Sequence, residues 1–404
     1  MADFYQHSKL TTLHKLTDRP IDELENELTS FSSTRPMALV LPSIFSELEG
    51  PALPKIVDAL QHAYYIGDII IGLDRCDSEQ FAHAQQFFSE LPQRTHLLWH
   101  DGPRLSALDK ELQTEGLAPP EPGKGRNVWY CLGYAMALEH VEVVGLHDCD
   151  ILTYSRELPA RLLYPLSHPR FDFQYAKGYY ARVNGDLLSG RVTRLFVTPL
   201  LRALKKIVGS IDYLEYMDSF RYPLSGEFAM SRDLLSQVRI PSDWGLEAGL
   251  LSEVYRNISL KQVCQVDIAD NYDHKHQELS AEDRAAGLAK MSTDIAKSIY
   301  RKLATEGIEI SPSFMRTLKA TYLRIALDFV EMYYDDAKIN GLSFHRHSEE
   351  GAIEVFQQSI VDAGESFAAN PLETPFIPNW KRILSALPDF EKRLFDAVAE
   401  DSKV

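Results

Sequence analysis

The chain reads as an α/β protein, with a mainly parallel, Rossmann-like sheet followed by a C-terminal helical region. Three observations predict this. Apolar runs of strand length recur with helical stretches between them, the pattern of βαβ units. These runs are continuously apolar, as buried strands are. From about residue 290 the strand-like runs give way to long amphipathic helices.

The elements follow in order. Residues 1–35 form a polar, partly helical lead-in that ends at Ser32-Ser33-Thr34-Arg35-Pro36. Met37–Pro42 is a buried strand, and Leu53–Ala63 is helical. A second buried strand, Asp68–Leu73, ends at the acidic Asp74, and the helical Ser78–Glu90 leads to a third strand, Thr95–Trp99. After the Pro-rich loop Ala118–Pro122 comes Gly123-Lys124-Gly125-Arg126-Asn127, placed just before a helix over Val128–Glu139. The apolar run Val141–Leu146 then delivers Asp148-Cys149-Asp150. The aromatic content of Phe171–Val183 favours a strand, and Thr193–Ile207 reads as a helix. Met291–Glu306 and Ser313–Tyr334 are long amphipathic helices, with further segments within 349–364 and 380–399. The expected division is a catalytic domain over 1–290 and a C-terminal helical region over 291–404 that serves as a lid or a dimer surface.

Composition narrows the function. A 404-residue chain with 45% hydrophobic residues can bury a large core. The net charge of −16 opposes a nucleic-acid partner, because a phosphate backbone demands a basic face. No apolar run approaches the roughly 20 residues that span a bilayer, and residues 1–20 lack a secretory signal's apolar core. Cys76, Cys131, Cys149 and Cys264 are scattered without metal-ligand spacing, which fits free thiols in a reducing cytoplasm.

Asp148-Cys149-Asp150 carries the most chemistry. Carboxylates at the carboxyl edge of an open α/β sheet lie where such folds bind ligands. There they can hold a hard divalent cation, which in turn holds phosphate oxygens. Gly123-Lys124-Gly125 offers an anion backbone N–H groups and an ammonium, without the spacing of a P-loop. Ser189-Gly190-Arg191-Val192-Thr193 is a second candidate anion pocket, with a forked guanidinium and a hydroxyl at a helix start. Glu227 and Glu247 each sit beside glycine in apolar surroundings, where a carboxylate can orient a sugar hydroxyl or serve as acid or base. In Tyr272-Asp273-His274-Lys275-His276, an imidazole could complete a metal site begun by Asp150.

In this order, these pieces resemble the glucosyl-3-phosphoglycerate synthases, retaining glycosyltransferases of the GT-A fold. The resemblance runs from about Leu39 to Leu279. It includes Val40-Leu41-Pro42-Ser43, Gly190–Thr193 with Pro199-Leu200-Leu201, Pro223–Ala229, Gly245–Leu251 and His274. It implies glucose transfer from a nucleoside-diphosphate glucose, UDP- or GDP-linked, to 3-phosphoglycerate. It also implies a cytoplasmic enzyme, a homodimer, and Mg²⁺ or Mn²⁺ on the diphosphate, held by Asp150 and His274. Pro42, Ser43 and Glu47 would border the base and ribose, with Asp74 and Cys149 also on the nucleotide-sugar side. Lys124 would touch the nucleotide or sugar, Asp148 would bind the sugar-nucleotide, and Leu224 and Glu247 would line the donor sugar. Gly190, Arg191, Val192 and Thr193 would hold the acceptor phosphate, with His276 nearby. Asp148, Glu247 and Lys124 are the candidate catalytic groups. The sequence departs from the resemblance at Phe45–Glu49, where an Asn-Glu-Glu run is expected, and at His276, where a smaller amide is expected. The alternatives are a mannosyl-3-phosphoglycerate synthase or another GT-A transferase. More remote are a haloacid-dehalogenase-type phosphatase, opposed by Leu152 and by the three strands before the motif, and a non-catalytic sugar-nucleotide-binding protein.

Overall fold

The computed structural model describes residues 6, 8–118, 122–274, 287–371 and 376–403. The strands are β1 Thr11–Leu13, β2 Met37–Ile44, β3 Ile66–Asp74, β4 Arg94–Trp99, β5 Val143–Leu146, β6 Tyr175–Asn184, β7 Leu187–Leu188, β8 Phe228–Ser231, β9 Ile240–Pro241, β10 Val263–Tyr272 and β11 Phe376–Ile377. One sheet runs β1-β10-β6-β8-β5-β2-β3-β4, with β7 attached to β6, while β9 and β11 form a separate pair. The neighbours of β2, β3 and β10 all lie parallel to them; β8 runs antiparallel to both β5 and β6. The sheet is therefore mainly parallel.

Register decides where the chemistry emerges. Val40 pairs with Leu146 on one side and Ile70 on the other, and Ser43 and Ile44 pair with Leu73 and Asp74. The carboxyl ends of β2, β3 and β5 thus share one edge, and the Asp148-Cys149-Asp150 loop leaves from it. The strands feeding that edge are dry: Leu39, Val40, Ile69, Ile70 and Ile71 are fully buried. Such runs have no solvated face, so they read as continuous apolar stretches.

The five C-terminal helices are Gly287–Thr305, Pro312–Ile339, Arg346–Ala369, Trp380–Ala386 and Phe390–Asp401. The stripe Leu318, Tyr322, Ala326 and Val330, one residue per turn, is buried in the same core as Phe196 and Leu200. The Tyr322 hydroxyl donates to the Leu195 carbonyl at 2.6 Å. Trp380 stacks on Trp129 of the helix Lys124–Ala137, with ring centroids 4.3 Å apart. Asp401, itself buried, accepts the backbone N–H groups of Arg104 and Leu105 and so caps the helix Pro103–Thr114.

Several boundaries differ from the sequence reading. The lead-in holds an edge strand, β1, which pairs parallel with β10. The segment 380–399 is two helices, because Pro388 has no N–H to continue the first. The four cysteines are free and buried. Among the described residues, no helix is long and apolar enough to cross a membrane.

Candidate active site

A cavity of about 1760 Å³ opens at the carboxyl edge of the sheet. The ends of β2, β3 and β5, the start of the helix Lys124–Ala137, the β6–β7 hairpin, the loop 242–247 and parts of the C-terminal helices surround it. Every residue to which the resemblance gives a role borders this cavity except His276, which lies outside the described residues.

Lys124 is the first residue of its helix rather than part of a preceding loop, since the helix begins four residues before the expected Val128. Its ammonium lies 2.7 Å from Asp148 Oδ1 and 3.5 Å from Glu247 Oε1. Enclosure works against the charged amine, but the carboxylates of Asp148 and Glu247 outweigh it and raise the pKa above an ordinary lysine's. Gly226 makes room for this arrangement: a Cβ there would sit 2.3 Å from Asp148 Oδ2. Any side chain at 226 would push the carboxylate away.

Asp150 and His274 meet across a short bridge. Ile151 pairs with His274, Leu152 N–H donates to the Asp273 carbonyl at 2.8 Å, and Asp273 N–H donates to Thr153 Oγ1 at 3.0 Å. This stitching holds His274 Nδ1 3.6 Å from Asp150 Oδ1. Burial opposes ionisation of Asp150, yet His274 and Lys124 hold its carboxyl below the usual range. Asp150 Oδ1 is buried and makes no hydrogen bond to the described residues. A buried carboxylate oxygen beside an imidazole suits a divalent cation that takes its remaining ligands from phosphate and water. No group of three metal-binding side chains occurs among the described residues, so protein ligands alone would not complete such a shell.

Pro42, Ser43, Glu47 and Asp74 line the cavity together with Cys149. Asn127, one turn beyond Lys124, donates to the Gly72 carbonyl and to Asp74 Oδ2, both at 2.9 Å. It fixes the end of β3 against the helix. Burial pushes the Cys149 thiol up, so it lines the wall as a neutral group. Leu224 lines the cavity a short distance before Gly226.

Arg182, Arg191, Lys290, Lys297 and Arg301 also line the cavity, together with Asp243, Asp294 and Glu349. Gly190 has φ +77, a left-handed conformation that favours glycine, and it turns the chain from the β6–β7 hairpin into a helix. Val192–Val197 forms a π-helical turn, closed by the Thr198 N–H donating to the Thr193 carbonyl; such turns recur at functional sites. Thr193 is therefore inside the helix and not its cap. Its buried Oγ1 has no hydrogen-bond partner among the described residues. Arg191 is half-buried and not wholly free for a ligand. Its Nε donates to Glu349 at 2.7 Å and its Nη2 to Ser348 at 3.0 Å.

Glu227, unlike Glu247, does not face the cavity. It is fully buried and accepts the hydroxyls of Tyr180 and Tyr272, each at 2.7 Å, whose rings stack on each other 3.7 Å apart. Burial, and then Asp148, raise its pKa. Sequence reasoning also missed Arg182, Trp244, Lys297, Arg301 and Glu349, which border the cavity. Trp244 adjoins the Gly245–Leu251 stretch and Arg182 lies in the aromatic run Phe171–Val183, so these two carried a local signal. The others reach the cavity from elements that nothing in the sequence ties to it.

No protein-family model matches the chain. It is 48% identical over 402 residues to a glucosyl-3-phosphoglycerate synthase of Persephonella marina, covering 100% of this chain and 99% of the relative. A glucosyl-3-phosphoglycerate synthase of Methanococcoides burtonii is 40% identical over 408 residues, covering 99% and 98%. The chain belongs to the glucosyl-3-phosphoglycerate synthase family. It is a glycosyltransferase, and the phosphatase and non-catalytic readings fall away. Among solved structures, the glucosyl-3-phosphoglycerate synthase of Mycobacterium tuberculosis with Mn²⁺, UDP-glucose and phosphoglyceric acid has a TM-score of 0.51 at 23% identity, covering 75% of this chain and 89% of that one. The mannosyl-3-phosphoglycerate synthase of Rubrobacter xylanophilus has a TM-score of 0.53 at 20% identity, covering 74% and 82%. These likenesses establish the GT-A fold.

Proposed function

We propose that the enzyme transfers glucose from UDP-glucose to the hydroxyl of 3-phosphoglycerate with retention, aided by Mg²⁺ or Mn²⁺. The observation that carries this is one cavity lined both by Asp148, Asp150 and His274 and by the Gly190–Thr193 loop with Arg191. Asp148 binds the sugar-nucleotide, and Lys124 offsets charge building on the departing nucleoside diphosphate. The cation, held by Asp150 and His274, supplies Lewis-acid neutralisation of the diphosphate. Pro42, Ser43, Glu47, Asp74 and Cys149 border the nucleotide, while Leu224 and Glu247 line the donor sugar. Gly190, Arg191, Val192 and Thr193 hold the acceptor phosphate. The acceptor hydroxyl attacks from the leaving-group face and a diphosphate oxygen takes its proton. Glu247, beside Lys124, is the protein carboxylate placed to intervene if one does.

We propose residues 1–290 as the catalytic domain and 291–404 as a helical region serving as a lid or a dimer surface, with the helix Gly287–Thr305 crossing the boundary. We also propose a cytoplasmic homodimer, for which the exposed Met332 and Ile339 on the helix Pro312–Ile339 are candidate contacts.

The test incubates the full chain with Mg²⁺ or Mn²⁺, 3-phosphoglycerate and a panel of UDP-, GDP- and ADP-linked glucose and mannose. Nucleoside diphosphate release is measured, and the product's anomeric coupling is read by NMR. UDP-glucose should turn over to an α-linked product, and EDTA should abolish the reaction. Turnover of mannosyl donors alone would replace the proposal with its mannosyl alternative. No turnover of any donor would overturn it.

A further inference from the structure

Glu349 lies on the C-terminal helix Arg346–Ala369, far in sequence from the Gly190–Thr193 loop, yet only 3% of it is exposed and both of its carboxylate oxygens point at that loop. Oε1 accepts from Arg191 Nε at 2.7 Å and Oε2 from Arg194 Nη2 at 3.0 Å. Arg194 is fixed in turn by the carbonyls of Ser189 and Leu188, at 2.8 and 3.2 Å, and its guanidinium lies over the Tyr333 ring, 4.8 Å from its centre. Ser348, the preceding residue, accepts the Arg191 Nη2 at 3.0 Å. The same stretch of chain is pinned to the β6–β7 hairpin, where Ser343 N–H donates to the Asp186 carbonyl at 2.6 Å.

We infer that Glu349 is a positioning residue for the acceptor: it clamps the Arg191 guanidinium so that its free edge meets the acceptor's anionic group. The inference rests on the proposed reading of this wall as the acceptor side and adds the C-terminal helix to it. Two of the guanidinium's three nitrogens are engaged by Glu349 and Ser348, which leaves Nη1 for a ligand. A guanidinium held before the ligand arrives loses little freedom on binding, and its planar fork gives direction as well as charge. Glu349 costs the pocket one positive charge, because it partly neutralises two arginines. The arrangement therefore makes sense as orientation, not as accumulation of charge.

The two ideas predict opposite signs. If charge alone governed the pocket, E349Q would tighten anion binding. If orientation governs it, E349Q weakens binding, because one amide oxygen cannot accept from both arginines. The test uses the full chain and titrates 3-phosphoglycerate, inorganic phosphate and UDP into wild type, E349Q and S348A by calorimetry, with near-UV circular dichroism to establish the fold. E349Q should weaken 3-phosphoglycerate binding by about tenfold and S348A by about threefold, with UDP affinity within about twofold of wild type. S348A, at a partly exposed position, decides the matter if E349Q does not fold. Tighter or unchanged acceptor binding in the folded variants, or equal losses for UDP and acceptor, would overturn the inference. If wild type binds 3-phosphoglycerate but transfers no glucose to it, the proposed reaction fails while the clamp is still read from binding. If wild type transfers glucose and the variants bind normally, the clamp fails alone.

Discussion

Gly226→Ala is the sharpest probe of where Asp148 must sit, because it displaces the carboxylate without changing its chemistry. The added Cβ would lie 2.3 Å from Asp148 Oδ2, 2.7 Å from Cγ and 3.1 Å from Oδ1, whereas ordinary contact begins near 3.4 Å. The carboxylate must retreat by roughly 1 Å, or the backbone of 225–227 must move by as much. Drawing the Lys124–Asp148 pair from 2.7 Å to about 3.7 Å would forfeit roughly 1.5–2 kcal/mol at an effective dielectric near 20. Lys124 keeps 40% of its side chain exposed, so solvent screening reduces this to about 1 kcal/mol. Misplacing by about 1 Å a group that orients the substrate adds up to roughly a hundredfold in rate. The expected outcome is at least a tenfold fall in kcat/KM for UDP-glucose, together with a melting temperature lowered by overpacking. The assay is coupled release of UDP at varied donor and saturating acceptor, alongside a thermal melt. A variant with kcat/KM within threefold of wild type and a native melt would refute the claim that Asp148 must sit where Gly226 allows it.

Other outcomes follow from the same geometry. Lys124→Met should lower kcat by roughly 10²–10³-fold, as loss of one preorganised cationic group does, and steady-state kinetics will read it. Asp243 has its pKa raised to about 6, first by burial and then by Asp294. A carboxyl raised above its ordinary 3.8 contributes fully below about pH 4, and that contribution is lost as the pH rises toward 6. Asp243→Asn keeps the acceptor for Gly245 N–H, so it should melt higher than wild type at pH 8, by roughly 2 °C or more, and equally at pH 4. A gain at pH 4 as large as that at pH 8 would contradict this. Trp380→Ala removes a fully buried ring stacked on Trp129 and should cost about 3–5 kcal/mol in a denaturant titration.

Much of the catalytic sheet was legible because its strands are buried on both faces. Met37–Pro42 and Asp68–Leu73 read as strands from composition alone, and their acidic or polar ends mark the cavity edge. The antiparallel insertion of β8 was not legible, because no local pattern says which neighbour a four-residue strand will choose. The fate of the two glycine-adjacent glutamates was hidden for a related reason. Glu227 turns into a pair of tyrosines contributed by β6 and β10, while Glu247 turns toward Lys124, and both outcomes depend on partners distant in sequence. Arg191 was recognised as a fork for an anion, but its clamp on Glu349 spans 158 positions and leaves no spacing to detect. The helix boundary at Lys124 was missed because Gly123 at its cap and Gly125 in its first turn weaken the helical signal there, while burial against the sheet overrides their propensity.

The cap that Asp401 places on the helix Pro103–Thr114 has a consequence for biosynthesis. Residue 105 leaves the ribosome 296 positions ahead of the carboxylate that satisfies its N–H. At roughly 5–20 residues per second, that helix end waits on the order of 15–60 s for its partner. During that interval the surface later covered by Phe390, Leu394 and Val398 stands open. Until residues 390–401 have emerged, a nascent chain of this enzyme keeps that apolar surface uncovered, although most of its sheet has been made.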